Sequence, residues 1–142
     1  HFFMSDMIKW GILGTGRISR AFAEGLKFTS NGVLHGVASR NHDRSKAYAE
    51  EWKVPLAFEN YQQMAESESI DAVYVATPHT QHAENSILCM NNGKAVLCEK
   101  PFAVNHGQAE EMVAQACKNN VLLMEGMWSR FPPLMKELRK KK

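Results

Sequence analysis

The chain alternates short apolar runs with longer segments in which apolar residues recur every three or four positions. Compact apolar runs such as 8–13 and 72–76 are typical of strands covered on both faces, whereas the longer periodicity is typical of amphipathic helices. Strand and helix alternate without a linker, a repeat or a low-complexity stretch. The pattern therefore predicts one α/β domain, a doubly wound parallel sheet with helices on both faces. The predicted strands are 8–13, 33–38, 56–58, 72–76, 95–98 and 121–124.

Polar residues indicate where the intervening helices begin. Asp43 and Thr80 are residue types that cap helix amino termini, and Asn105 followed by Gln108 has the spacing of a capping box. Two prolines at 132–133 predict the start of a last, polar helix. The buried stripe of the first helix is predicted to contain Ile18, Ala21, Phe22, Gly25 and Leu26, and that of the helix after Asn105 to contain Ala109, Met112, Val113, Ala116 and Cys117.

Composition and charge exclude several classes of function. The 142 residues suit one domain, with hydrophobic and charged fractions of 44% and 23% that are ordinary for a globular protein. The net charge is only +2, and the basic residues are dispersed apart from the run at 139–142, so nucleic acid is not an expected partner. No apolar stretch approaches the roughly 20 residues of a membrane span, so no membrane partner is expected. Cys89, Cys98 and Cys117 lack CxxC spacing and lie in apolar segments, which predicts buried, reduced thiols in a cytoplasmic protein.

Polar loops follow three of the predicted strands. Gly14-Thr15-Gly16 follows the first, Ala76-Thr77-Pro78-His79 the fourth, and Glu99-Lys100-Pro101 the fifth. The carboxyl ends of parallel strands meet at one edge of a sheet, where open α/β folds bind ligands. The three loops therefore predict one pocket along that edge.

The glycine turn favours a dinucleotide as the ligand. Gly14 permits a sharp bend, and Gly16 lets the backbone approach a pyrophosphate at the amino end of the next helix. Ser19 occupies the third position of the GxGxxG pattern, where glycine or alanine is usual. A purely structural strand–helix turn is the alternative, but the position between a strand and a helix favours a Rossmann-type domain.

The end of the second strand favours NADP over NAD. NAD-specific Rossmann domains place a carboxylate here to bind the ribose 2′-hydroxyl. This chain instead has Ser39 and Arg40, with Arg44 one turn into the next helix. A guanidinium group can form charge-assisted hydrogen bonds to a 2′-phosphate and stack on adenine. The alternative is that both arginines are merely surface residues near a helix start.

His79 and His82 have the HxxH spacing of some metal ligands. No cluster of Asp, Glu or Cys at ligand spacing supports a zinc site, so no metal is predicted. His79 is expected to border the cofactor or the substrate, and His82 is expected on the surface of its helix.

Lys100 is the sharpest candidate for catalysis. It lies at the carboxyl end of a central strand, next to a proline that restricts the loop. Near a cationic nicotinamide its ammonium group would be destabilised, which favours proton transfer to or from a carbinol or carbonyl oxygen. The structural alternative is an ion pair with Glu99. Pro101 also allows a cis peptide bond, although trans is the more common form.

These motifs together resemble the Gfo/Idh/MocA oxidoreductases, and the stretch 124–132 is most similar to the branch of trans-1,2-dihydrobenzenediol and NADP-dependent D-xylose dehydrogenases. The resemblance implies that Lys100 is the catalytic lysine and that Trp128 and Arg130 lie near the nicotinamide and the substrate. The residues expected at the cofactor are Gly14, Thr15, Gly16, Arg17, Ile18, Ser39, Arg40, Arg44, Ala76, Thr77, Pro78, His79, Glu99 and Lys100.

Members of that family also carry a carboxyl-terminal α/β domain that covers the active site. The resemblance therefore implies a tail or tag remnant at 1–6, a cofactor domain at 7–130, and a helix at 131–142 that leads toward a substrate domain. The expected function is hydride transfer between NADP and a sugar or trans-dihydrodiol, with Lys100 as proton donor or acceptor. The isolated chain is expected to be inactive. A homo-oligomer is one possible assembly of the protein.

A non-catalytic NAD(P) sensor or interaction module is the alternative function. Such a module needs the phosphate-binding turn but no proton donor. The presence of Lys100 and His79 favours the enzyme.

Overall fold

The computed structural model describes residues 7–126, which form a six-stranded sheet flanked by helices. The tail at 1–6, Trp128, Arg130 and the helix expected after Pro132 lie outside the described residues. The strands are β1 (Ile8–Leu13), β2 (Gly32–Ala38), β3 (Leu56–Ala57), β4 (Ala72–Val75), β5 (Ala95–Cys98) and β6 (Leu123–Glu125). The helices are α1 (Arg17–Leu26), α2 (His42–Trp52), α3 (Tyr61–Glu66), α4 (His82–Asn91) and α5 (His106–Asn119).

The strands pair in the order β3-β2-β1-β4-β5-β6, and every pair is parallel. Leu13 at the end of β1 lies opposite Ala38 of β2 and Val75 of β4, and Val75 lies opposite Cys98 of β5. The four strands therefore end at the same level, so the loops that follow them start side by side. The prediction of a doubly wound parallel sheet is confirmed.

Each face of the sheet carries its own apolar core. Aromatic residues dominate one face, where the Phe22 and Tyr74 rings stack with centroids 4.1 Å apart and Trp10 meets Phe22 edge-on at 5.1 Å. Methionines such as Met64, Met90 and Met112 fill much of the other face. Burying a side chain of this size contributes about 1.5–3 kcal/mol, which is enough to hold the edge loops on a rigid base.

The capping residues differ from two of the sequence expectations. The Asn41 side chain caps α2 by accepting from the Asp43 backbone N–H at 2.9 Å, so Asp43 lies in the first turn rather than at the cap. Thr80 does not cap α4 because it lies within a preceding 3-10 turn, His79–Gln81. The prediction for α5 is confirmed, since Asn105 Oδ1 accepts from the Gln108 N–H at 2.9 Å.

The buried stripes are also rotated relative to the predictions. In α1, Phe22 and Leu26 are buried as predicted, but Ile18 is 41% exposed and the small Ser19 is buried in its place. Ser19 tolerates burial because its hydroxyl donates to the Gly16 carbonyl at 2.7 Å. In α5, Val113 is 53% exposed, so the buried stripe predicted for this helix was too wide.

The cysteines are free thiols, and two of the three are buried as predicted. Burial raises the pKa of Cys89 and that of Cys98 to about 12. Cys117 is exposed on α5, which contradicts the expectation for that residue. Among residues 7–126, no helix has both the length and the apolar character needed to cross a membrane.

Candidate dinucleotide-binding site

A groove of about 650 Å³ lies at the carboxyl edge of the sheet, where β1 is flanked by β2 on one side and β4 on the other. From β1 the sheet continues through β2 and β3 on one side and through β4, β5 and β6 on the other. The boundary between β1 and β4 is therefore the topological switch point, where open α/β sheets bind ligands. The groove lies within the usual size range of small-molecule sites. Its lining residues are Gly14, Thr15, Gly16, Ser39, Arg40, Asn41, Arg44, Tyr61, Ala76, Thr77 and Pro78.

The glycine turn forms the floor of the groove. Gly14 has a φ of +102° and donates its N–H to the Ala38 carbonyl at 2.8 Å. A Cβ atom at Gly14 would lie 2.6 Å from the Ala76 carbonyl oxygen, so only glycine fits between the two strand ends. A Cβ atom at Gly16 would meet no atom within 4 Å, because Gly16 faces open space. The turn therefore combines a structural glycine with one that keeps the backbone accessible.

The amino terminus of α1 opens onto this turn. Gly16 is its N-cap residue, no side-chain hydrogen bond caps the helix, and its first turn contains no acidic residue. Uncapped backbone N–H groups and the positive end of the helix dipole favour an anion at this position.

The loop after β2 supplies the positive charge of the groove. Arg40 and Arg44 are both exposed and line the groove. Ser39 also lines it but is buried, and its hydroxyl donates to the Asn41 carbonyl at 2.6 Å and lies 3.0 Å from the Ser45 hydroxyl. The Ser39 side chain therefore holds the loop together, which leaves the two guanidinium groups as the main polar groups facing a ligand.

Asn41 and Tyr61 line the groove although the sequence analysis did not single them out. Asn41 adjoins Arg40, so its position in the same loop was an available signal. Tyr61 begins α3 and reaches the groove from the far side of β3, which no local motif indicates. Burial raises the pKa of the Tyr61 phenol, and the charge of Arg40 acts in the opposite direction, which shows that the two side chains are close.

The loop after β4 forms the other wall, and His82 supports it from behind. Thr77 is buried, and its hydroxyl accepts from Asn85 Nδ2 at 2.8 Å. His82 is 2% exposed, with Nε2 2.8 Å from the Thr77 carbonyl and Nδ1 2.7 Å from the Pro101 carbonyl. The prediction that His82 lies on the surface of its helix is therefore wrong. Polar contacts with the Thr77 and Pro101 carbonyls, which only the fold brings together, compensate for the burial of the ring.

Lys100 lies one strand beyond the groove wall, in the loop after β5. Its side chain is exposed, and the Lys100–Pro101 peptide bond is cis. The Tyr74 hydroxyl donates to one oxygen of Glu99, and the other oxygen accepts from the Lys100 backbone N–H at 3.1 Å. The ion pairs of residues 7–126 do not include Lys100, so its ammonium group is not paired with Glu99 there.

The structure brings most, but not all, of the predicted cofactor residues to the groove. The predicted residues at 14–16, 39–40, 44 and 76–78 line it. The predicted residues that are absent from its lining are Arg17, Ile18, His79, Glu99 and Lys100. Within the described range, no cluster of His, Cys, Asp and Glu could hold a metal ion.

Two known dehydrogenases are similar to this chain in sequence. Over 134 residues the chain is 43% identical to trans-1,2-dihydrobenzene-1,2-diol dehydrogenase of Xenopus laevis, covering 92% of this chain and 40% of that protein. It is likewise 43% identical to scyllo-inositol 2-dehydrogenase (NADP(+)) IolU of Bacillus subtilis, covering 94% of this chain and 41% of the relative. The chain thus spans about 40% of the length of these relatives.

A solved structure supports the same placement. The 3-ketoreductase KijD10 of Actinomadura kijaniata in complex with NADP matches 84% of this chain and 38% of its own, with 34% identity and a TM-score of 0.79. The model of the oxidoreductase family with an NAD-binding Rossmann fold, GFO_IDH_MocA, matches residues 8–127. This chain therefore belongs to the Gfo/Idh/MocA oxidoreductase family, of which it contains the NAD(P)-binding domain.

Proposed function

We propose that this chain is the cofactor-binding part of an NADP-dependent dehydrogenase. The observation that carries the proposal is the charge of the groove. Two arginines and an uncapped helix amino terminus face it, and the residues among 7–126 that line it include no acidic side chain. A dinucleotide with an additional 2′-phosphate matches that charge, whereas the 2′-hydroxyl of NAD usually requires a carboxylate at the end of β2.

The groove offers complementary residues to each part of NADP in this proposal. The space beside Gly16 admits a pyrophosphate close to the backbone, and the N–H groups at the start of α1 stabilise its charge. Arg40 and Arg44 are placed to bind the 2′-phosphate, and Tyr61 completes the wall on that side. Thr77 and Pro78 then border the nicotinamide half.

Lys100 is proposed as the proton donor and acceptor. When bound, the nicotinamide supplies or accepts the hydride, and the proton must come from or go to a protein group. Lys100 is exposed at the end of β5, next to the strand whose loop forms the groove wall. Its side chain is therefore free to reach a substrate oxygen, while Glu99 bonds its backbone rather than its ammonium group. Trp128 and Arg130 are proposed to lie near the substrate on the strength of the family resemblance alone.

The proposed substrate is a cyclic compound with neighbouring hydroxyl groups, either a sugar or a trans-dihydrodiol. The names of the two relatives contain a dihydrobenzenediol and an inositol, which both carry adjacent carbinols on a ring. Because the chain spans about 40% of those relatives, we propose a layout of tail (1–6), cofactor domain (7–130) and connecting helix (131–142), with the substrate domain beyond it. The buried thiols of Cys89 and Cys98 favour a reducing, cytoplasmic location.

Calorimetric titration of the chain with NADPH and NADH tests the cofactor assignment. NADPH should bind at least about tenfold more tightly, since one charge-assisted phosphate contact contributes about 1.5–3 kcal/mol. Arg40→Ala should abolish most of that preference. Lys46→Ala is the matched control, because Lys46 is an exposed cation on the same helix as Arg44 and does not line the groove. Equal affinities for the two cofactors, or a preference that survives Arg40→Ala, would refute the assignment.

A turnover assay tests the proposed division of the enzyme. The chain should bind NADP⁺ but show no NADP⁺-dependent oxidation of trans-dihydrobenzenediol, scyllo-inositol or D-xylose, because catalysis requires a substrate enclosed beside the nicotinamide, a role that we assign to the proposed substrate domain. Turnover at a normal dehydrogenase rate would show that residues within this chain complete the active site.

A further inference from the structure

His82 makes two short contacts that a surface histidine would not make. Its ring is buried at the start of α4, and both of its nitrogen atoms lie against backbone carbonyl oxygens. Nδ1 is 2.7 Å from the Pro101 oxygen and Nε2 is 2.8 Å from the Thr77 oxygen. Both distances are those of well-formed hydrogen bonds.

The chemistry of imidazole restricts how these contacts can be satisfied. A carbonyl oxygen only accepts, and a neutral imidazole donates through one nitrogen while the other carries a lone pair. An imidazolium could donate to both carbonyls, but its charge would be buried without a counter-ion, which is costly. Either neutral tautomer donates to one of the two carbonyls, so the ring ties at least one of the two loops to the start of α4.

The two carbonyls belong to the two loops that the proposed reaction uses. Thr77 forms the groove wall after β4, and its hydroxyl is bound by Asn85 of the same helix that carries His82. Pro101 directly follows Lys100. His82 is therefore a bridge between the cofactor wall and the loop of the proposed catalytic lysine.

The loop of Lys100 is held on its other side as well. Glu99 accepts from the buried Tyr74 hydroxyl and from the Lys100 backbone N–H. Lys100 thus lies between Glu99, whose side chain is bound to β4, and Pro101, whose carbonyl contacts the start of α4. This arrangement leaves its side chain free while its backbone is fixed.

We infer that His82 is a positioning residue whose buried ring lies between the Thr77 and Pro101 carbonyls, donates a hydrogen bond to at least one of them, and thereby fixes Lys100 relative to the cofactor groove. The inference rests on the proposed function, because the position of Lys100 matters only if the groove binds the cofactor and Lys100 transfers the proton. The geometry of the bridge itself does not depend on that function.

The ring is tested first by NMR of the ¹⁵N-histidine-labelled chain at neutral pH. The expected result is that at least one ring nitrogen of His82 shows a directly bonded, slowly exchanging proton. The exposed His106 on α5 provides the reference for an ordinary ring in the same spectrum. A His82 ring without any slowly exchanging proton would overturn the bridge, and this measurement needs no variant and no cofactor.

The positioning role is tested by hydrogen exchange and cofactor binding in His82→Gln and His82→Leu. Gln can donate to one carbonyl and Leu to neither. The hydrogen-bonded amides of Glu99 and Lys100 should therefore exchange faster in the order wild type, Gln, Leu, by about tenfold at the last step. NADPH affinity should fall in the same order, whereas His106→Gln should change neither quantity.

The outcomes separate this inference from the proposed function. Unchanged exchange at Glu99 and Lys100 in folded His82→Leu would overturn the positioning role. A wild-type chain that does not bind NADPH would refute the proposed function, while the ring protonation and the exchange would still decide whether the bridge exists. If the Leu variant does not fold, the ring protonation and the Gln variant decide the outcome.

Discussion

The two glycines of the first loop should respond to the same substitution in opposite ways. At Gly14, an alanine would have to adopt a φ of +102°, and its Cβ would lie 2.6 Å from the Ala76 carbonyl oxygen and 2.9 Å from the Ala76 carbonyl carbon. These neighbours are backbone atoms at the end of β4 and cannot rotate away. At Gly16, φ is −77° and the space around the added methyl group is empty.

The magnitudes follow from these geometries. A strained backbone conformation costs about 1–3 kcal/mol, and relieving the overlap with Ala76 costs a further ~1–3 kcal/mol. Gly14→Ala should therefore lower the free energy of unfolding by about 2–6 kcal/mol and the melting temperature by at least about 10 °C. Gly16→Ala should cost no more than about 1 kcal/mol, which is the difference between glycine and alanine at an N-cap. Its methyl group, however, would occupy the space where the backbone approaches a pyrophosphate.

Urea unfolding and calorimetric NADPH titration of both variants measure the two effects separately. Gly14→Ala should be clearly destabilised, whereas Gly16→Ala should lose no more than about 1 kcal/mol in the free energy of unfolding and at least about tenfold in affinity. A Gly16→Ala chain that binds NADPH like the wild type would refute the placement of the pyrophosphate at this turn. A Gly14→Ala chain of unchanged stability would refute the role assigned to the contact with Ala76.

Two further predictions concern the loop after β5 and its support. Lys100→Met should leave NADPH affinity of the chain within about twofold and, in the full-length protein, lower turnover at least about a hundredfold, which is typical for loss of a general acid; surviving turnover would assign the proton to another group. Burial first, and then the bond to Glu99, raise the pKa of Tyr74 above its ordinary value of about 10. The folded chain therefore keeps a proton that the unfolded chain loses, so this contribution to stability is complete below about pH 10 and declines above it by up to about 1.4 kcal/mol per pH unit. Tyr74→Phe should make the alkaline slope in urea unfolding shallower between about pH 9 and pH 11, while the raised pKa values of Cys89, Cys98 and Tyr61 maintain the rest of the slope. Parallel slopes for variant and wild type would contradict the assignment.

The sheet was predictable because each strand is a self-contained apolar run. The first strand, 8–13, and the fifth, 95–98, have the same bounds in the sequence analysis and in the structure. The glycine turn was predictable for a similar reason, since it directly follows its strand. Helix starts were less predictable because neighbouring polar residues compete for the cap, as Asn41 and Asp43 do at α2.

The remaining site residues could not be predicted because their partners are distant in sequence. Tyr61 reaches the groove only because β3 pairs with β2 and thereby brings the start of α3 alongside Arg40. His82 has the sequence pattern of a polar surface residue, and its burial depends on the Pro101 carbonyl that arrives 19 residues later. The local pattern of apolar residues contains no information about hydrogen-bond partners that are distant in sequence. Predictions from that pattern therefore fail most often at buried polar side chains.

The end of strand pairing decides which backbone N–H groups of each loop remain available to a ligand. The backbone N–H groups of Gly14, Ala76 and Glu99 each donate to a carbonyl of a neighbouring strand, so these residues complete the parallel ladder although they belong to the predicted motifs. Gly16 and Thr77 lie one or two positions further along and line the groove. A motif read from sequence combines both groups. The ladder separates them, which is why Gly14 is expected to matter for folding and Gly16 for binding.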